Sequence, residues 1–348
     1  MFQTSQFQPQ WWIRNAHLQT MLPTLNRRNL QIDSIHERLE LEDGDFLDLA
    51  WTEMPETAGN KPIVIIFHGL EGSVESPYIK GIMRAVKAAG WVGLLMHFRG
   101  CSHESNRLLR AYHSGDTADA EYVIALIAKR YPQSPLFAIG YSLGGSVLTH
   151  YLAQKGKHSL LVAAAIVSAP LLLAESAERI KKGFSKAYQR RLIKLLQASI
   201  LRKFEHLDMT SALSITPEQV KKLNTFVEFD DQVTAPLHGF KDALDYYKQC
   251  SGLQYLYKIQ TPTLFIHAED DPFLTKKVIP TEANMSEQIS FELSKYGGHV
   301  GFVYGSILKP KYWLEERIPN WFKEFTPKPC HIPKPDQGTG FNDDVETA

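Results

Sequence analysis

The chain of 348 residues contains only three cysteines, Cys101, Cys250 and Cys330. Odd in number and far apart, they fit neither a disulfide framework nor a C-x-x-C metal or redox site, and they suit a reducing compartment. No sign of charge dominates. The 38 Lys and Arg balance 38 Asp and Glu, a net charge of zero with His neutral, so no global positive field draws the chain to nucleic acid. Long apolar runs are missing too. The most apolar stretch, Leu160 to Ala174, has 15 residues including Ser168 and Pro170, short of the roughly 20 a spanning helix needs. The segment Met1 to Gln10 has neither the basic start nor the apolar core of a secretory signal, and a cytoplasmic location is expected. There is no H-E-x-x-H and no local cluster of Cys or His, so no metal site is expected either.

What the chain does have is 44% hydrophobic residues against 22% charged, the composition of a globular protein. Short apolar runs alternate with helical patterns, the signature of a largely parallel sheet covered by helices. Pro62 to Phe67 reads as a buried strand. Ser76 and Pro77 then open a helix whose Ile79, Ile82, Met83 and Val86 fall at i, i+3, i+4, i+7, and Gly90 stops it. Trp91 to Phe98, Leu136 to Gly140, Leu160 to Val167, Thr263 to His267 and Ile289 to Leu293 read as further strands. Helices are expected from about Thr117 to Arg130 and Gly144 to Gln154. Glu37 to Leu41 and Phe46 to Trp51 look like an antiparallel hairpin. Between about residues 170 and 257 the strand rhythm stops and the pattern turns helical, as in an insertion or cap. Residues 327–348 read as a poorly ordered tail.

Gly140-Tyr141-Ser142-Leu143-Gly144 is a G-x-S-x-G pentapeptide between an expected strand and an expected helix. A serine in so sharp a turn needs small neighbours, and the turn lifts its hydroxyl at the carboxyl end of the sheet. A serine hydroxyl is a weak nucleophile without a base, and the base needs an acid to orient it. His299, in the glycine-rich Tyr296-Gly297-Gly298-His299-Val300-Gly301 loop, is the expected base. The acid is expected after the Thr263 strand, where Ala268-Glu269-Asp270-Asp271-Pro272 crowds three carboxylates that cannot all point inward. Oxyanion donors are expected at the backbone N–H of Leu143, after the nucleophile, and of Leu70, in the His68-Gly69-Leu70-Glu71-Gly72 loop. His68 itself reads as a structural hydrogen-bonder.

With these motifs in chain order, the sequence resembles the α/β-hydrolase superfamily. The finer resemblance is to its YheT-like branch, carried by Asn15-Ala16-His17-Leu18-Gln19-Thr20, His68-Gly69-Leu70-Glu71-Gly72-Ser73, Phe98-Arg99-Gly100-Cys101-Ser102 and Tyr112-His113-Ser114-Gly115-Asp116-Thr117. It covers about residues 7 to 325. The resemblance implies an α/β-hydrolase fold with a mostly parallel central sheet, flanking helices and a helical cap, in one domain over residues 1–326. It selects Asp271, the second Asp of its string, as the acid, although Ala268 stands where the familiar pattern has Gly. It also implies an esterase-like enzyme without a cofactor.

The expected activity is cleavage of a small-molecule carboxylic ester through an acyl-Ser142. A thioesterase or acyltransferase would use the same groups, and a binding protein could keep the fold without the chemistry. An epoxide or haloalkane hydrolase would carry Asp where Ser142 stands. The inner face of the cap is expected to hold Leu172, Leu173, Phe184, Leu192 and Leu195, forming an apolar acyl pocket. The run Arg179 to Lys203, with nine basic residues and no acidic one, reads as a solvated face, with attraction to an anionic membrane surface or substrate as the alternative.

Overall fold

The computed structural model describes residues 1–326; the tail expected at 327–348 lies outside the described residues. Nine strands form one sheet: β1 (Phe2–Thr4), β2 (Ile35–Glu40), β3 (Phe46–Trp51), β4 (Ile63–Phe67), β5 (Val92–Met96), β6 (Leu136–Tyr141), β7 (Ala163–Val167), β8 (Thr263–Ala268) and β9 (Ile289–Ser294). Their spatial order is β1-β9-β8-β7-β6-β4-β5-β3-β2. Pairing is parallel from β1 through β5, and the β2–β3 hairpin closes the far edge antiparallel to β5.

The continuous apolar runs follow from burial on both faces. In β4, Ile63, Ile65 and Phe67 pack into one apolar layer with the helices Ala118–Arg130 and Leu143–Lys155. Val64 and Ile66 point the other way, onto the helices Pro77–Ala88 and Leu314–Lys323. All five are fully buried, each worth about 1.5–3 kcal/mol relative to exposure. The helix read at Ser76–Gly90 spans Pro77–Ala88, with Ile79, Ile82, Met83 and Val86 buried as its spacing requires. Elements outside the sequence reading include β1, too short for a periodicity, the helix Leu314–Lys323, and the helix Ala16–Asn26, capped by Asn15 through the N–H groups of His17 and Leu18.

Between β7 and β8 the described residues contain helices and no strand. Helices Leu173–Ile180, Ser185–Phe204 and Ala243–Cys250 dominate, with a π-helical turn at Asp230–Thr234. This segment has its own apolar cluster, built on Ile193, Ile200, Met209, Val220, Phe229 and Val233. Polar ties bind it to the rest of the molecule. Lys203 Nζ donates to the carbonyls of Leu108, Leu109 and Arg110 at 2.6, 3.2 and 2.7 Å, and Ser185 Oγ donates to Pro272 O at 2.7 Å. Lys203 is therefore buried, and the basic run is not a uniformly solvated face. Among the described residues no helix is long and apolar enough to cross a membrane.

Candidate active site

Ser142 stands between the end of β6 and the helix Leu143–Lys155, with φ 50° and ψ −117°. A non-glycine residue in this region costs of order 1–3 kcal/mol, and the surrounding backbone must impose it. Two bonds do so: Ser142 N–H donates to Val167 O at 2.8 Å, and its carbonyl accepts Ser146 N–H at 3.1 Å. Gly144 is required by packing, because a Cβ there would run into the carbonyl oxygens of Phe67 and His68.

Above the turn, His299 Nε2 lies 3.0 Å from Ser142 Oγ and its Nδ1 lies 2.8 Å from Asp271 Oδ2. Donation from Nδ1–H to the carboxylate leaves the Nε2 lone pair facing the serine hydroxyl, the tautomer a general base needs. Asp271, just past β8, is buried and accepts Phe273 N–H through its other oxygen at 2.8 Å. The neighbouring Asp270 turns to the histidine loop instead and accepts Gly298 N–H at 2.9 Å. Ser142, Asp271 and His299 are thus brought together, while Asp270 stands outside their hydrogen bonds.

Three successive amides hold the histidine loop. Gly298 N–H goes to Asp270, His299 N–H to Thr20 Oγ1 at 3.0 Å, and Val300 N–H to Ser168 Oγ at 3.2 Å. Thr20 comes from the Asn15–Thr20 motif, whose Gln19 is buried and bonds Val303 through both its amide groups. The two segments approach so closely that a Cβ on Gly301 would collide with Gln19 O. Phe273 stacks flat on the His299 ring, centroids 4.0 Å apart and planes 7° from parallel. The sequence reading missed Thr20, Ser168 and Phe273 as supports; the motif around Asn15 was the signal, and its task was invisible without the contact.

The two expected oxyanion donors, Leu70 and Leu143, line the same pocket as Ser142 and His299. Leu143 opens its helix, where the first amides have no intrahelical partner. His68 is a structural group as expected: fully buried, it donates from Nδ1 to Gly69 O at 2.7 Å and accepts Phe98 N–H at Nε2 at 3.1 Å. Burial pushes its pKa down to about 3, so it stays neutral. The pocket encloses about 160 Å³, and the helix Ser185–Phe204 contributes Leu192, Leu196 and Ile200 to its largely apolar wall. Phe184 and Leu195 are exposed and Leu172 packs against the main core, a correction to the expected inner face.

The fold also gathers His113, Asp116 and His238, whose ligand atoms lie within 4.8 Å of one another, a grouping that could hold a metal ion. Two of its members already have other partners: Asp116 pairs with Arg110 at 2.7 Å, and His113 Nδ1 accepts Gly115 N–H at 3.2 Å.

Residues 62–306 match the family described as alpha/beta hydrolase fold. The chain belongs to that family. Within the alpha/beta hydrolases it falls in the YheT-like branch: it is 47% identical over 322 residues to a protein of Escherichia coli (strain K12) named "Putative esterase YheT", covering 92% of this chain and 94% of the relative. A mouse protein named phospholipase ABHD3 is 29% identical over 311 residues, covering 87% of this chain and 74% of that one. Among solved alpha/beta hydrolases, the Pyrococcus furiosus esterase Pf2001 superposes with a TM-score of 0.54 at 15% identity, covering 85% of this chain and 94% of the other. Family and relatives together support hydrolase activity for this chain.

Proposed function

We propose that the protein is a serine esterase that cleaves carboxylic esters of apolar acyl groups. The reading is carried by one observation, the continuous hydrogen-bonded chain from Ser142 Oγ through His299 to Asp271 on the wall of an apolar pocket. In the first half-reaction His299 Nε2 takes the Ser142 proton as Oγ attacks the ester carbonyl. The N–H groups of Leu70 and Leu143 hold the oxyanion, and the proton passes to the departing alcohol. In the second half, water gives its proton to His299 and attacks the acyl-Ser142, which releases the acid and restores the hydroxyl. Asp271 keeps the imidazole in its tautomer and stabilises the imidazolium, without itself taking the proton.

Residues 1–326 act in this reading as one hydrolase domain, with about 170–257 as its cap and acyl pocket. The relative named as a phospholipase fits such an acyl preference. Buried free thiols at Cys101 and Cys250 suit the cytoplasm. The exposed basic residues Arg190, Arg191 and Lys194 offer a cationic face to an anionic membrane surface.

Ser142→Ala tests the assignment. The variant is expected to fold, to lose labelling by a fluorophosphonate, and to lose more than about 10³-fold in kcat on p-nitrophenyl esters. Turnover near that of the wild type would remove Ser142 as nucleophile.

A further inference from the structure

The loop after β4 is held from two sides by tyrosine hydroxyls. Gly69 N–H donates to Tyr78 Oη at 2.8 Å, and Glu71 N–H donates to Tyr112 Oη at 2.8 Å. Between them, Leu70 N–H has no hydrogen-bond partner among the described residues. The loop lies against the nucleophile turn, for a Cβ built on Gly69 would sit 3.3 Å from Ser142 Cβ.

Each tyrosine is itself anchored. Tyr78 packs edge-on against Tyr141, the residue before Ser142, with ring centroids 5.0 Å apart. Tyr112 stacks on Phe98 at 5.0 Å and 8°, and its O–H donates to Glu71 Oε1 at 2.9 Å. Its hydroxyl therefore accepts from the Glu71 amide and donates to the carboxyl of the same residue, closing a small ring. Glu71 needs such a clamp, because its φ of 51° is a conformation its side chain disfavours. Burial raises both phenols above their ordinary value, so both remain hydroxyls at any working pH.

From this arrangement we infer that Tyr112 and Tyr78 are positioning residues that aim the Leu70 N–H at the reacting carbonyl oxygen. The inference rests on the serine-esterase reading. A backbone dipole stabilises a developing oxyanion only if it points there before the reaction begins, since a loop that must reorganise spends part of what it gains. With the amides on both sides of Leu70 tied down, its peptide plane has little freedom. Tyr112 also lines the pocket and Tyr78 does not, but in this role each acts through the loop.

The experiment compares wild type, Tyr112→Phe and Tyr78→Phe. Each variant keeps its ring and loses the oxygen that accepts the amide. For a p-nitrophenyl ester, kcat per fluorophosphonate-titrated site is expected to fall about 10- to 100-fold, less than the loss of an oxyanion donor itself, with KM within about twofold. Phenylboronic acid, which forms a tetrahedral adduct on the serine, is expected to bind more weakly by a similar factor. A merely structural loss would lower the number of titratable sites but leave kcat per site and boronate affinity unchanged. That result in both variants overturns the inference and leaves the esterase reading standing. If Tyr112→Phe fails to fold, Tyr78→Phe carries the test on the opposite side of Leu70. A wild type that neither turns over esters nor binds the boronate overturns the esterase reading, and this inference with it.

Discussion

Two adjacent carboxylates, Asp270 and Asp271, are chemically alike and separated by their partners. Asp271 gives one oxygen to His299 and the other to the Phe273 N–H, so both of its oxygens are engaged. Asp270 has one oxygen on Gly298 N–H while the other is buried without a partner. Burial, with the charge of Asp271 adding to it, pushes the Asp270 pKa from 3.8 up to about 6. Asp271→Asn should lower kcat by about 10³- to 10⁴-fold, because the imidazole loses the group that fixes its tautomer. Asp270→Asn keeps an oxygen for Gly298 and should cost about tenfold at most, well short of the loss of an acid in the catalytic chain. It should also change the pH profile of unfolding. A carboxyl whose folded pKa is raised contributes stability below pH 4 that is lost as the pH rises through 6, so the wild type should lose stability over that window relative to Asp270→Asn. Ester turnover and denaturant titrations between pH 4 and 8 check both parts; equal kinetic losses in the two variants would refute the division of roles.

The helix Ser185–Phe204 faces two environments, and its period explains how. Leu192, Leu196 and Ile200, at i, i+4 and i+8, present one stripe to the pocket, while Arg190, Arg191 and Lys194 lie on the exposed side. Leu195 is rotated off that stripe and is 40% exposed. Phe184 precedes the helix and packs against His17 and Tyr188, so it cannot line the acyl site. Each acyl methylene that reaches the stripe is worth up to about 0.8 kcal/mol, so kcat/KM should climb with chain length until the pocket is full. Replacing Leu192 and Leu196 together by Ala should move that optimum to longer esters and spare acetate. Phe184→Ala should leave the length profile unchanged. A p-nitrophenyl ester series on the three proteins decides it, and identical profiles for wild type and double variant would take this helix out of substrate selection.

Stability of the whole molecule depends on a buried ionic centre as well as on the apolar layers. Arg99, 3% exposed, pairs with Asp43 at 2.8 Å, Asp45 at 2.9 Å and Asp119 at 2.7 Å. Asp43 and Asp45 come from the β2–β3 connection and Asp119 from the helix Ala118–Arg130, so one guanidinium joins the sheet edge to the helical layer. Burial alone would raise the Asp45 pKa, but Asn106, the Arg107 N–H and Arg99 outweigh it and hold the carboxyl below its ordinary value. Arg99→Met should destabilise the fold by about 3–5 kcal/mol, because Asp45 and Asp119 would stay buried without their cation. The drop would appear as a lower urea midpoint at pH 7, and a midpoint equal to that of the wild type would show that Asp45 and Asp119 are not left uncompensated when Arg99 is removed.

Near neighbours in the chain were enough to determine the α/β architecture, the Ser142 turn and His299 as candidate base, and to narrow the acid to Glu269, Asp270 and Asp271, among which the family resemblance selected Asp271. Apolar runs of strand length, helical spacing, and glycines around a serine or a histidine are local constraints, and local sterics and burial act on them directly. Contacts between distant segments depend on where the packed sheet brings each of them, which no local pattern encodes. Thr20 meets the His299 amide across 279 residues, and Tyr112 meets Glu71 across 41. The same holds for β1 beside β9, for the His113, Asp116 and His238 grouping, and for the rotation of the helix Ser185–Phe204 that turns Leu192 inward and leaves Phe184 outside. Only the tertiary structure decided these, because burial selects which of several apolar and polar faces meet once all the layers compete for the same space.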